Sequence, residues 1–150
     1  MATPSAGFAA PPAVQPIKPW SPTAAWVNAI LLGPMAAALV AYLSLKRMGA
    51  AAKAKQTLLI GLIGSAILIP VLIKVNLPSY ASVPLSLMIG GFCANIQQPE
   101  FKAWQVANPG VDPRSAWASL GWGLLGLLGF LCMAFVIATV FILLGWLHQG

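Results

Sequence analysis

The stretch "WSPTAAWVNAILLGPMAAALVAYLSLKR", residues 20–47, decides the fold class. Its apolar part, Trp26–Lys46, would be about 30 Å long as a helix, which is the thickness of the hydrocarbon core of a membrane. Pro22 is suited to the first position of that helix, and Pro34 predicts a kink within it. The stretch therefore predicts a transmembrane helix over residues 22–46.

The composition agrees with a membrane protein. Of the 150 residues, 59% are hydrophobic and only 7% are charged, which leaves too little polar surface for a soluble domain. The net charge of +6 arises because only Glu100 and Asp112 oppose eight basic residues. Basic groups beside apolar spans are typical of contacts with anionic lipids, so we expect membrane lipids as partners and no nucleic acid.

Three further apolar segments follow the first. They predict an all-α integral membrane protein with four transmembrane helices, at about residues 22–46, 56–74, 80–98 and 115–147. Between the last two, Phe101 and Trp104 fall on one helical face, so we expect a short interfacial helix near residues 99–107.

The distribution of basic residues predicts the topology. If residues 80–98 span the membrane, six basic residues share one side, and only Lys18 and Lys74 lie on the other. If that segment does not span, the division becomes four against four and the positive-inside bias disappears. We therefore expect a multi-pass protein of a bacterial inner membrane or a photosynthetic membrane, with both termini extracytoplasmic.

Two regions follow from this topology. Residues 1–20 are rich in proline and alanine, which predicts an extended extracytoplasmic arm, and residues 21–150 form the helical bundle. The arm has little apolar surface of its own to bury, so we expect a partner to bind it, with Trp20 fixing its root at the membrane interface.

The segment "KRMGAAAKAK", residues 46–55, is predicted to be a cytoplasmic loop between the first two spans. Its four basic side chains are candidates for binding lipid headgroups: Lys46, Arg47, Lys53 and Lys55.

Small residues at helical spacing are typical of close helix packing in membranes. The candidates, for packing within the bundle or against a partner, are Gly33, Ala37, Gly61, Ser65, Gly123, Gly126 and Gly129.

The sequence offers few groups for chemistry. Its one histidine, His148, lies near the end of the chain, and its two acids lie in one loop, so we predict no catalytic residues and no metal site. Asn95 belongs to the densest polar cluster, with Gln97 and Gln98. Helix termination explains that cluster best, although Asn95 or His148 could also ligate a pigment.

These observations favour a non-catalytic membrane subunit that docks into and stabilises a larger complex, together with other integral membrane subunits. One alternative is an accessory pigment- or lipid-binding subunit of a photosynthetic or respiratory complex, for which chlorophyll, quinone and bound lipid are open as cofactors. Another is a small oligomeric channel or transporter, which would need a continuous polar pore.

Overall fold

The computed structural model describes residues 17–75 and 82–145. Within these ranges the chain forms five α-helices, a short 3₁₀ turn at Trp117–Ser119 and no β-strand, so the all-α class is confirmed. The helices are α1 (Pro22–Leu32), α2 (Pro34–Arg47), α3 (Ala51–Val75), α4 (Ser82–Ala107) and α5 (Leu120–Leu143).

The chain reverses direction at Gly33, between α1 and α2. Gly33 has φ +90° and ψ −178°, a combination almost restricted to glycine because a Cβ atom would clash with the backbone. Pro34 occupies the first position of α2, where its fixed φ suits a helix start. The two helices pack on each other as an antiparallel hairpin with Gly33 at its apex.

The prediction of one transmembrane helix over residues 22–46 is therefore wrong. The backbone carbonyl of Trp20 lies 2.7 Å from the hydroxyl of Ser44, whereas a continuous helix would separate these residues by about 36 Å. The Gly33 turn produces a full reversal where a kink at Pro34 was expected.

The predicted third span and the predicted interfacial helix are parts of one helix, α4, which continues through Pro99. A separate helix over residues 99–107 is thus a wrong prediction. Proline removes one backbone hydrogen bond, but the turns after it are held by other contacts. Phe101 is buried and stacks on Trp104, and Glu100 forms an ion pair with Lys53 of α3.

Two of the described helices are long and apolar enough to cross a membrane, Ala51–Lys74 and Trp117–Leu143. The first contains the predicted span 56–74. The second is shorter than the predicted span 115–147, because the 3₁₀ turn begins only at Trp117 and α5 ends at Leu143. Four spans are not confirmed.

The α1–α2 hairpin lies at the centre of the molecule. The longer helices surround it, since α2 packs against α3, α4 and α5, and α1 packs against α4. Alanine predominates among the buried residues of the hairpin, at positions 24, 25, 29, 36, 37, 38 and 41. Small side chains of this kind allow helix backbones to approach closely.

Of the predicted arm, only the root at residues 17–20 lies within the described residues. Its extracytoplasmic placement depended on a membrane crossing by residues 22–46, and the chain turns back instead of making that crossing.

Candidate functional site

Trp20 is the centre of a polar cluster at one end of the bundle. Its side chain is fully buried, and its backbone carbonyl accepts hydrogen bonds from Ser44 Oγ at 2.7 Å and Gln97 Nε2 at 2.6 Å. Gln97 also donates to Ser44 Oγ at 3.0 Å. Because Ser44 is on α2 and Gln97 is on α4, the backbone just before α1 is bound to two other helices.

Two arginines complete this cluster around the indole ring. The guanidinium carbon of Arg47 lies 4.0 Å from the ring centroid of Trp20, and that of Arg114 lies 5.6 Å from it. Such contacts between a cation and an aromatic face are attractive. The backbone N–H of Arg114 also donates to the carbonyl of Pro19 at 3.0 Å. We call Trp20, Ser44, Arg47, Gln97 and Arg114 the Trp20 cluster.

The electrostatics of the cluster are unfavourable for two neighbouring cations. Partial burial, followed by the positive charge of Arg114, lowers the pKa of Arg47 from its ordinary value. The Trp20 ring and the carbonyl of Lys18, which accepts a hydrogen bond from Arg47, offset part of this cost.

The four predicted headgroup ligands are divided by the fold. Lys46 and Lys55 are exposed. Arg47 belongs to the Trp20 cluster, and Lys53 lies 2.5 Å from a carboxylate oxygen of Glu100. Two of these side chains are therefore held by contacts within the protein.

Three of the predicted glycine positions lie against another helix. Gly61 of α3 faces Ala38 of α2, and on α5 Gly123 faces Asn28. Gly126 lies against the backbone of Ala36. A side chain at any of these positions would separate the helices.

The other four predicted packing positions, Gly33, Ala37, Ser65 and Gly129, have different surroundings. Gly33 forms the turn, and Ala37 lies near Gly90 of α4. Ser65 is buried, and its hydroxyl has no hydrogen-bond partner among the described residues. Gly129 has no atom of another part of the described chain within 4 Å of the position of a Cβ.

Asn28 ties α1 to the start of α5. Its side-chain amide donates to the carbonyl of Ala24 at 2.8 Å and to the hydroxyl of Ser119 at 2.7 Å. In the sequence, Asn28 is a polar residue within an apolar run. Sequence reasoning also missed Ser44, Gln97 and Arg114 as members of one cluster, because they are far apart along the chain.

The two predicted pigment ligands are not brought together. Asn95 is exposed on α4, and His148 lies outside the described residues. In the described part of the chain, no group of three His, Cys, Asp or Glu side chains could hold a metal ion.

No protein-family model, curated protein or solved structure matches this chain. The chemistry of the described site is hydrogen bonding and ion–aromatic contact between helices, which supports a structural role for the Trp20 cluster.

Proposed function

We propose that the protein is a non-catalytic integral membrane subunit that docks into a larger membrane complex through α5. The observation that carries this proposal is Gly129. Glycine weakens a helix by about 1 kcal/mol relative to alanine, and no neighbour within the described chain makes use of the space that it leaves. A helix of another subunit would use that space for close approach.

The exposure of α5 supports the same role. Only 6% of the most apolar part of Trp117–Leu143 is buried inside the molecule, against 28% for Ala51–Lys74. On α5, eight large apolar side chains are more than half exposed: Leu124, Leu125, Leu128, Leu131, Phe135, Val136, Ile142 and Leu143.

The proposal treats the protein as non-catalytic because several of its conspicuous polar side chains form contacts that join helices. Gln97 and Ser44 bind the Trp20 carbonyl, Asn28 binds Ser119, and Lys53 pairs with Glu100.

The proposed membrane placement follows the basic residues. Seven of the eight belong to the end of the bundle with the Trp20 cluster, and Lys74 alone belongs to the other: the seven are Lys18, Lys46, Arg47, Lys53, Lys55, Lys102 and Arg114. The positive-inside rule assigns the first end to the cytoplasm. In this placement α3, α4 and α5 cross the membrane, and the α1–α2 hairpin enters and returns on the cytoplasmic side.

This placement predicts that the two termini lie on opposite sides of the membrane. A reporter fused before Met1 and one inserted at Gly49 should both be cytoplasmic, and a reporter after Gly150 should be extracytoplasmic. Protease protection in inside-out and right-side-out vesicles measures the three locations. An extracytoplasmic reporter at Met1 together with a cytoplasmic one at Gly49 would contradict the re-entrant hairpin.

The docking role predicts the effect of Gly129→Leu. The added side chain meets open space in the isolated chain but blocks a closely packed partner helix, so we expect association to weaken about tenfold or more. Blue-native electrophoresis of mildly solubilised membranes measures the share of protein in the complex.

Ala66→Leu is the matched control, because Ala66 is exposed on α3 and the substitution adds similar bulk away from α5. Equal recovery of the two variants in a high-mass complex would count against docking through α5. The stability of the isolated Gly129→Leu protein in detergent should equal or exceed that of the parent, because leucine favours a helix over glycine.

A further inference from the structure

A cavity of about 260 Å³ lies at the apex of the α1–α2 hairpin. The end of α1 and the Gly33 turn form one wall. The others come from Leu72 of α3, from Val83 and Ser86 of α4, and from Phe130 of α5. The 14 residues of α2 place this apex about 20 Å from the basic end, which is within the hydrocarbon core in the proposed membrane placement.

The backbone at the apex presents hydrogen-bond acceptors to the cavity. The last carbonyls of a helix have no partner within it, and here the chain reverses immediately, so the carbonyls of Ile30, Leu31 and Leu32 receive no N–H from a continuing helix. Pro34 has no N–H to offer the first of them. Irregular backbone at such a depth is tolerated where it lines a hydrated cavity or is covered by protein.

Ser86 gives a second, independent observation. Its residue is only 7% exposed, its hydroxyl forms no hydrogen bond within the described chain, and it lines the cavity. A helical serine can bond the carbonyl four residues earlier. The hydroxyl of Ser86 is therefore available to a molecule in the cavity.

The hydrogen-bond donors at the start of α2 do not face the cavity. The N-terminus of α2 carries unpaired N–H groups, but the backbone of Ala36 is covered by Gly126 of α5 and does not line the cavity. The cavity thus combines the negative end of α1 with apolar walls, which suits hydrogen-bond donors attached to an apolar body.

From these contacts we infer that the cavity is a hydrated binding site for a small amphiphile carrying a hydroxyl or ammonium group and a short apolar tail. The donor group meets the α1 carbonyls and Ser86, and the tail lies along Leu72, Val83 and Phe130. The inference depends on the proposed membrane placement but not on docking through α5.

Cysteine accessibility tests the site. The full-length chain, with Cys93→Ala and Cys132→Ser, receives either Ser86→Cys or, as a control on the outer face of α4, Phe92→Cys. Phe92 is 61% exposed and would contact lipid. A thiol must ionise in water to react with a methanethiosulfonate, so Ser86→Cys should be labelled while Phe92→Cys stays at the background of the cysteine-free protein.

The charge of the reagent tests the acceptor character. Relative to the ratio of the two rates on free cysteine, the trimethylammonium reagent should label Ser86→Cys about tenfold faster than the sulfonate reagent, equivalent to about 1.4 kcal/mol, because the end of α1 favours cations. If Ser86→Cys does not fold, Val83→Cys reports on the same cavity, since Val83 also lines it.

Three probes with the same tail length then test the ligand class. 1-Hexanol and hexylammonium should slow the labelling, and hexanoate, which lacks a donor at neutral pH, should not. Stronger protection by 1-hexanol would identify the donor as a hydroxyl group, and stronger protection by hexylammonium would identify it as an ammonium group. Absence of labelling at both Ser86→Cys and Val83→Cys, equal protection by all three probes, or strongest protection by hexanoate would overturn the inference. None of these outcomes bears on the docking proposal, which the association of Gly129→Leu tests separately.

Discussion

Replacing Gly126 with alanine is expected to destabilise the bundle by about 1–3 kcal/mol, toward the upper end of the range for overpacking. A Cβ atom at this position would lie 2.5 Å from the Cα of Ala36 and 2.9 Å from its backbone nitrogen. These are backbone atoms, so no side-chain rotation relieves the clash, and α5 must move away from α2. Unfolding by SDS titration in mixed micelles, followed by circular dichroism, measures the free energy.

Gly129→Ala is the matched control on the same helix. In the part of the chain that the structure describes, no atom of another helix lies within 4 Å of its added methyl group, and alanine favours a helix over glycine by about 1 kcal/mol. The two substitutions should therefore change stability in opposite directions. Equal losses would show that α5 does not pack on α2 through Gly126.

Replacing Trp20 with alanine is expected to cost about 3–5 kcal/mol of unfolding free energy. The side chain is fully buried, and its removal leaves a large cavity. The change also removes the aromatic ring that the guanidinium groups of Arg47 and Arg114 contact. The same SDS titration measures the loss.

Trp117→Ala provides the comparison for this prediction. Trp117 is 72% exposed, so its replacement should change the unfolding free energy by about 0.5 kcal/mol or less. A similar small effect for Trp20→Ala would mean that Trp20 is not buried in the bundle and that the arm root lies elsewhere.

The helical class and the positions of most helices could be predicted from the sequence because both depend on local composition. Long apolar runs gave α3 and α5, and the polar residues after Pro99 were correctly placed in a helix, although as a separate one. The continuity of α4 through Pro99 was missed because Phe101 and the Lys53–Glu100 pair stabilise turns beyond the proline. Those contacts join residues far apart in the sequence.

The candidate site was less predictable. Gly123 and Gly126 were identified by spacing, but spacing does not distinguish them from Gly129, which contacts no other helix of the described chain. Gln97 was interpreted as part of a helix terminus. Its two hydrogen bonds, to the Trp20 carbonyl and to Ser44, depend on the path of α1.

The sequence by itself determined an all-helical chain, with long apolar helices and with charge concentrated in a few short segments. Only the tertiary structure decided the path of residues 20–47. The dipeptide Gly33–Pro34 is compatible with both a kink and a reversal, because glycine permits either backbone geometry and proline can start a helix after either. The choice depends on distant contacts, of Trp20 with Ser44 and Gln97 and of Asn28 with Ser119, which form only when α1 folds back along α2.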